Sequence, residues 1–178
     1  MRAKNPFDAI DTWAALSDGS VAVVRGADSH IDWVRPNGAH DSTPAVGPPR
    51  EKLTPTDKAR LVDSVRADPP YRLPSGPPHL LPAPLLPDYR PYFRGDSHRD
   101  SALADGDGNL WIPFAAAARA DSARVYTIVN RQGNVIDRVL IPPCRAIVGF
   151  GRGTVYLQRW DLTSTLTTGQ YLDRVRIR

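Results

Sequence analysis

The stretch from Ser101 to Ile141 decides the fold class. It reads Ser101-Ala102-Leu103-Ala104, then Asp105-Gly106-Asp107-Gly108-Asn109, then Leu110-Trp111-Ile112-Pro113-Phe114. After a small-residue loop it continues with Arg124-Val125-Tyr126-Thr127-Ile128-Val129, Asn130-Arg131-Gln132-Gly133-Asn134 and Val135-Ile136-Asp137-Arg138-Val139-Leu140-Ile141. Short apolar and β-branched runs separated by glycine-bearing polar turns are the pattern of antiparallel strands. The stretch therefore predicts a four-stranded meander.

Working outward, the same scheme precedes and follows it. Upstream lie Thr12-Trp13-Ala14-Ala15-Leu16, the turn Ser17-Asp18-Gly19-Ser20, Val21-Ala22-Val23-Val24-Arg25, and His30-Ile31-Asp32-Trp33-Val34-Arg35 closed by Pro36-Asn37-Gly38. Downstream lie Ala146-Ile147-Val148-Gly149-Phe150, the turn Gly151-Arg152-Gly153, Thr154 through Trp160, and Tyr171 through Ile177. Asp-Gly and Asn-Gly suit tight hairpins because glycine and asparagine tolerate positive φ, so Gly19, Gly38, Gly108 and Gly133 are expected at hairpin connections. The composition agrees. Eighteen Asp accompany a single Glu, 20 Arg accompany 3 Lys, and Met occurs once, so the residues that usually cover exposed helix faces are scarce.

One segment departs from the strand pattern. Thr54-Pro55-Thr56-Asp57 supplies a capping Thr, a first-turn Pro and an acidic third residue ahead of Lys58 through Ala67. A helix over 55–67 is expected, with Leu61, Val62 and Val65 on one face. Nine of the 18 prolines then fall between Pro69 and Pro91, which predicts an extended polyproline-like strap over 69–91. Gly108 and Gly153 hold equivalent places 45 residues apart, the period of a propeller blade, and Gly19 precedes Gly108 by 89 residues, one period plus an insertion. Blade-like units over about 10–46, 97–142 and 145–178, with an insertion over 50–92, follow from this spacing.

The unit of strand, Asp-Gly turn, strand, strand, Asn-Gly or Gln-Gly turn and strand resembles the NHL and TolB-like six-bladed β-propeller repeats. More narrowly, Trp13 through Arg25, the helix-plus-proline insert with Tyr89-Arg90-Pro91, Ala104 through Trp111, and Ile147-Val148-Gly149-Phe150-Gly151 resemble the C-terminal half of bacterial six-bladed β-propeller proteins. The likeness runs from about residue 7 to 178. It implies a mainly β, incomplete β-propeller of about two and a half to three antiparallel blades. Repeat architectures need neighbours to bury each blade, so the expectation is the C-terminal part of a longer protein or half of a dimeric ring. Self-association of the isolated chain follows, through unpartnered blade faces that include Trp13, Phe150 and Val155.

Reactive chemistry is sparse. Asp105, Asp107 and Asn109 match the first, third and fifth positions of a calcium loop, but Leu110 stands where glycine is needed and Ala116 where a bidentate Glu belongs, so a plain hairpin is preferred. The arginines at 124, 131, 138, 145, 152 and 159 recur every seventh residue, and an odd period alternates strand faces, so no basic stripe results. His30, His40, His79 and His98 share no metal-ligand spacing, and Cys144 has no partner for a disulfide or a paired-cysteine zinc site. Neither a serine-hydrolase elbow nor a phosphate loop is present. Arg94-Gly95-Asp96 matches an adhesion tripeptide too short to carry weight.

A net charge of +4 is too mild to argue for nucleic acid, and no run approaches the roughly 18 apolar residues of a membrane span. No cofactor is expected. If the chain lines a propeller channel, the resemblance implies Asp11 and Trp13, His98 and Asp100, and Arg145 as residues at its mouth. The function expected is a non-catalytic scaffold binding a protein or small-molecule ligand. The alternative is a metal-dependent propeller hydrolase or lyase whose remaining ligands lie on other blades. Met1-Arg2-Ala3-Lys4-Asn5-Pro6 has no apolar signal region; a periplasmic or extracellular location is expected only with a signal peptide upstream.

Overall fold

The computed structural model describes residues 9–67, 81–93, 101–114, 123–160 and 169–177. The protein is mainly β: three antiparallel sheets, each a simple meander. The first contains β1 (Thr12–Ala15), β2 (Val21–Val24), β3 (Ile31–Val34) and β4 (His40–Thr43). The second contains β5 (Leu103–Ala104), β6 (Leu110–Pro113), β7 (Arg124–Val129) and β8 (Val135–Ile141). The third contains β9 (Arg145–Gly151), β10 (Thr154–Trp160) and β11 (Gln170–Arg176), with β10 in the middle.

Four of the connections are one device used repeatedly. In Leu16–Ser20, Arg35–Ala39, Asp105–Asn109 and Asn130–Asn134 the first residue's N–H donates to the last residue's carbonyl, and the fourth residue's N–H returns to the first carbonyl. That fourth residue is Gly19, Gly38, Gly108 or Gly133, each with φ near +80°. These are three-residue loops ending in a left-handed glycine. A two-residue type I′ loop would need positive φ at both central residues, and Asp18, Asn37, Asp107 and Gln132 do not have it.

Strand alternation fixes how the sheets stack. Along β6, Leu110 and Ile112 join Ala22, Val24 and Ile31 of the first sheet, while Trp111 points the other way toward Ile147, Val155 and Leu157 of the third. β6 is therefore covered on both faces, with all four of its residues buried, whereas most of β8 is exposed. Each large apolar side chain so buried contributes roughly 1.5–3 kcal/mol. Polar links add direction: Ala102 N–H donates to Thr12 Oγ1 at 2.7 Å, and Arg131 reaches Asp18 at 2.8 Å from one sheet's turn to the other's.

The stacking corrects one expectation. Phe150 and Val155 do not lie on an unpartnered face. The Phe150 ring is 5.1 Å from that of Trp111, and Val155 is buried beside it. A register shift at Tyr156/Leu157 separates the two halves of β9, so the residues facing the second sheet are Ile147 and Phe150, three positions apart. Trp13, on the outer face of the first sheet, is 63% exposed as anticipated, and Leu172 is exposed on the outer face of the third. β4 went unread because His40-Asp41-Ser42-Thr43 has no apolar alternation; it forms by pairing its backbone with β3 at the sheet edge.

The insert carries the expected helix, α1 (Pro55–Ala67). Its start is a reciprocal cap: Asp57 N–H donates to Thr54 Oγ1 at 3.2 Å, and Thr54 N–H donates to Asp57 Oδ2 at 3.0 Å. Val62 and the stem of Lys58 are buried, with Lys58 Nζ donating to the Leu86 carbonyl and paired with Asp88. Leu61 is half-buried, and the side chain of Val65 lies outside the description. Of the expected strap, 69–80 also lies outside the described residues. The rest is not wholly extended: Pro82 and Pro84 favour a single 3-10 turn at Ala83–Leu85, and Tyr89 bridges back to Lys52. Among the described residues no helix is long and apolar enough to cross a membrane.

Gly38 and Gly133 share almost the same φ but differ in surroundings. A Cβ on Gly38 meets nothing within 4 Å, whereas one on Gly133 would run into the Thr43 side chain of the first sheet. Gly38→Ala is expected to cost about 1 kcal/mol for backbone strain alone. Gly133→Ala is expected to cost about 2–3 kcal/mol, because overpacking between sheets adds to the strain. Urea denaturation of both variants checks this; equal costs would show that Thr43 gives way.

Candidate functional site

Two hollows and two charged clusters stand out among the described residues as candidate sites. The first hollow, about 410 Å³, lies among the first strands of all three sheets. Ala15 and Ser17 border it from the end of β1, Leu103 and Ala104 from β5, and Ile147 and Val148 from β9. Among the described residues Asp105 is the only carboxylate on its wall, and both of its oxygens are committed. Oδ1 accepts from the Asp107 and Asn109 backbone N–H groups, and Oδ2 accepts from Asn109 Nδ2 and from Trp111 Nε1 at 3.0 Å. The calcium-loop alternative fails on this geometry, because oxygens that face four N–H donors are not turned toward a cation.

Of the residues expected at a channel mouth, the described ones, Asp11, Trp13 and Arg145, do not line this hollow. Asp11 and Trp13 lie on the outer face of the first sheet, Trp13 directly across from Val23. Asp11 Oδ2 pairs with Arg25 at 2.7 Å, and its other oxygen accepts from the Gly26 N–H. Arg145 pairs with Asp173 at 3.2 Å within the third sheet, where Arg159 also meets Asp173 and stacks on Tyr171. His98 and Asp100 lie outside the described residues. Cys144 sits half-buried in the connection between β8 and β9 with φ of 57°.

Around Arg25 the first sheet builds a charged patch beside Trp13. Arg25 bridges Asp11 and Asp32, which pushes its guanidinium further toward the charged form. Ser42 donates to Asp32 Oδ1 at 2.6 Å and Arg25 to Oδ2 at 2.7 Å. Those two contacts, Ser42 first, hold the Asp32 carboxyl below the usual carboxylate range. His30 lies between Asp28 and Asp32, with Nδ1 2.6 Å from Asp28 and Nε2 3.3 Å from Asp32. Among the described residues no group of three or more His, Cys, Asp or Glu is placed to hold a metal ion.

The second hollow was not legible in the sequence. It is a cleft of about 370 Å³ between the insert and the second sheet. Pro48, Arg50 and Glu51 come from the start of the insert, Arg90 and Tyr92 from its end, and Phe114, Val125, Thr127 and Arg138 from β6 to β8 and their flanks. No local spacing joins segments so far apart in the chain. The protein was compared with protein-family models, with curated proteins and with solved structures, and none matches.

The Asp32 network predicts an acid-side effect. A carboxyl lowered by folding adds stability that is present above its unfolded value of about 3.9 and is lost as the pH falls through the folded value. Asp32→Asn should lower Tm at neutral pH, and its gap from the parent should close below about pH 4. Ser42→Ala should raise the Asp32 pKa measured by NMR titration. A gap independent of pH would show that the Asp32 charge contributes nothing through this network.

Proposed function

We propose that the protein is a non-catalytic binding scaffold, its three sheets forming consecutive blades of a six-bladed β-propeller-like ring. The observation that carries this reading is the joint one: face-to-face stacking of the meanders, with the first strand of each sheet bordering one common hollow. In a propeller the first strands surround the axis, and each blade buries its faces against its neighbours. The 45-residue interval between Gly108 and Gly153 recurs as equivalent hairpins, β5 to β6 and β9 to β10, which supports the same reading. A scaffold role rather than catalysis is favoured by the state of the polar groups: Asp105, Asp11, Asp32 and Asp173 are each engaged by donors or cations of their own sheet.

On this reading the outer face of the first sheet is a blade face awaiting a neighbour. Trp13, Val21, Val23 and Val34 share it by register. In isolation the chain should therefore self-associate, with a weight-average mass rising with concentration in sedimentation velocity. Trp13→Ser should shift the distribution toward the 19.6 kDa monomer without lowering Tm by more than a degree or two. A parent protein that is monodisperse at 19.6 kDa at all concentrations would overturn the open-sector reading.

A further inference from the structure

The cleft between the insert and the second sheet combines apolar walls with charged side chains from three separate stretches of the chain. Its floor and walls are apolar: Pro48, Pro91, Tyr92, Phe114 and Val125. Phe114 packs edge-on to Tyr92 with ring centroids 5.3 Å apart, and Tyr92 is fixed by donating its hydroxyl to the Pro48 carbonyl at 2.8 Å. The walls are thus held by contacts of their own, as expected of a largely pre-formed pocket, and the volume falls in the lower part of the roughly 300–1,000 Å³ range of small-molecule sites.

The charge around this apolar floor is unbalanced. Three arginines and one glutamate border the cleft. Glu51 is taken by Arg90 at 2.6 Å. Among the described residues Arg50 is held by neutral groups, donating to the Ala27 carbonyl at 2.8 Å and to the Arg90 carbonyl, with its guanidinium over the Tyr89 and Tyr92 rings. Arg138, cross-strand from Thr127, has no counter-charge among the described residues. The nearest carboxylate in sequence, Asp137, folds back to accept from the Arg138 backbone N–H. Among the described residues, two of the three cationic groups therefore lack an anion.

We propose that this cleft binds a small organic carboxylate with a flat apolar body, the ring lying against Tyr92 and Phe114 and the carboxylate received by Arg138. Apolar walls set beside an unpaired guanidinium favour such a molecule over inorganic anions, which gain nothing from the walls, and over neutral aromatics, which leave Arg138 unpaired. The proposal deepens the scaffold reading by naming a ligand class. Its test is separate, because cleft binding does not depend on how the sheets would close a ring.

The probe is 2-naphthoate, with 2-naphthalenemethanol as its neutral counterpart, each titrated into the full chain by calorimetry and by NMR. Expected is one saturable site for naphthoate, at least about tenfold tighter than for the alcohol and weakened by added salt. Arg138→Gln should weaken naphthoate about tenfold and leave the alcohol unchanged, Arg138→Lys should restore part of the loss, and Arg174→Glu on β11 should change neither. Equal binding of acid and alcohol, an unaffected Arg138→Gln variant, or shifts centred on Trp13 rather than Tyr92 would each overturn the proposal. Saturation absent at millimolar naphthoate would do so as well. Self-association with no naphthoate binding would sink the ligand alone, and naphthoate binding by a strict monomer would sink the ring alone.

Discussion

Everything else in the structure depends on β6 burying both of its faces. A strand in a two-sheet sandwich can be half polar, with solvent on one side. Leu110-Trp111-Ile112 has no such freedom, and the alternation that sends Leu110 and Ile112 toward the first sheet obliges Trp111 to enter the third. The indole N–H carried into that interior needs an acceptor, and Asp105 supplies it from the preceding turn. One strand thus determines the stacking order, the large residue between the second and third sheets, and the polar group at the first-strand hollow.

Much of this was legible locally. Hairpins depend on residues within five positions, so the glycines at 19, 38, 108 and 133 announced their turns. The helix cap is equally local, and Thr54 with Asp57 marked the start of α1. The facing of Phe150 and Val155 was not legible. Strand polarity there gives no solvent side, and the register shift in β9 displaces the alternation by one residue. β4 is held by backbone pairing with β3 and by polar side-chain contacts such as Ser42 to Asp32, for which apolar alternation gives no sign.

The candidate sites divide along the same line. Asp11 and Arg145 could be picked out as charged residues beside first strands, yet the partners that neutralise them, Arg25 and Asp173, are fixed by cross-strand register and by the approach of β11. The cleft is a purely tertiary feature. Prolines and an arginine at one end of the insert meet Tyr92 at its other end, and both meet the second sheet, so only the return path of the insert brings the walls together. Lys58 helps fix that path by tying α1 to the Leu86 carbonyl and to Asp88.

Among the described residues the third sheet has one strand fewer than the other two, and β11 stands at its edge with its outer backbone donors and acceptors unpaired by another described strand. Such an edge is a template for pairing with any extended chain. Along β11 the apolar residues Tyr171, Leu172 and Val175 are interrupted by Asp173, Arg174 and Arg176. Fibril-forming segments need an uncharged run to stack copies in register, and each added copy here would place an arginine upon an arginine. The edge can accept one strand of matching charge from a folded neighbour, while its own arginines oppose the endless stacking of identical chains.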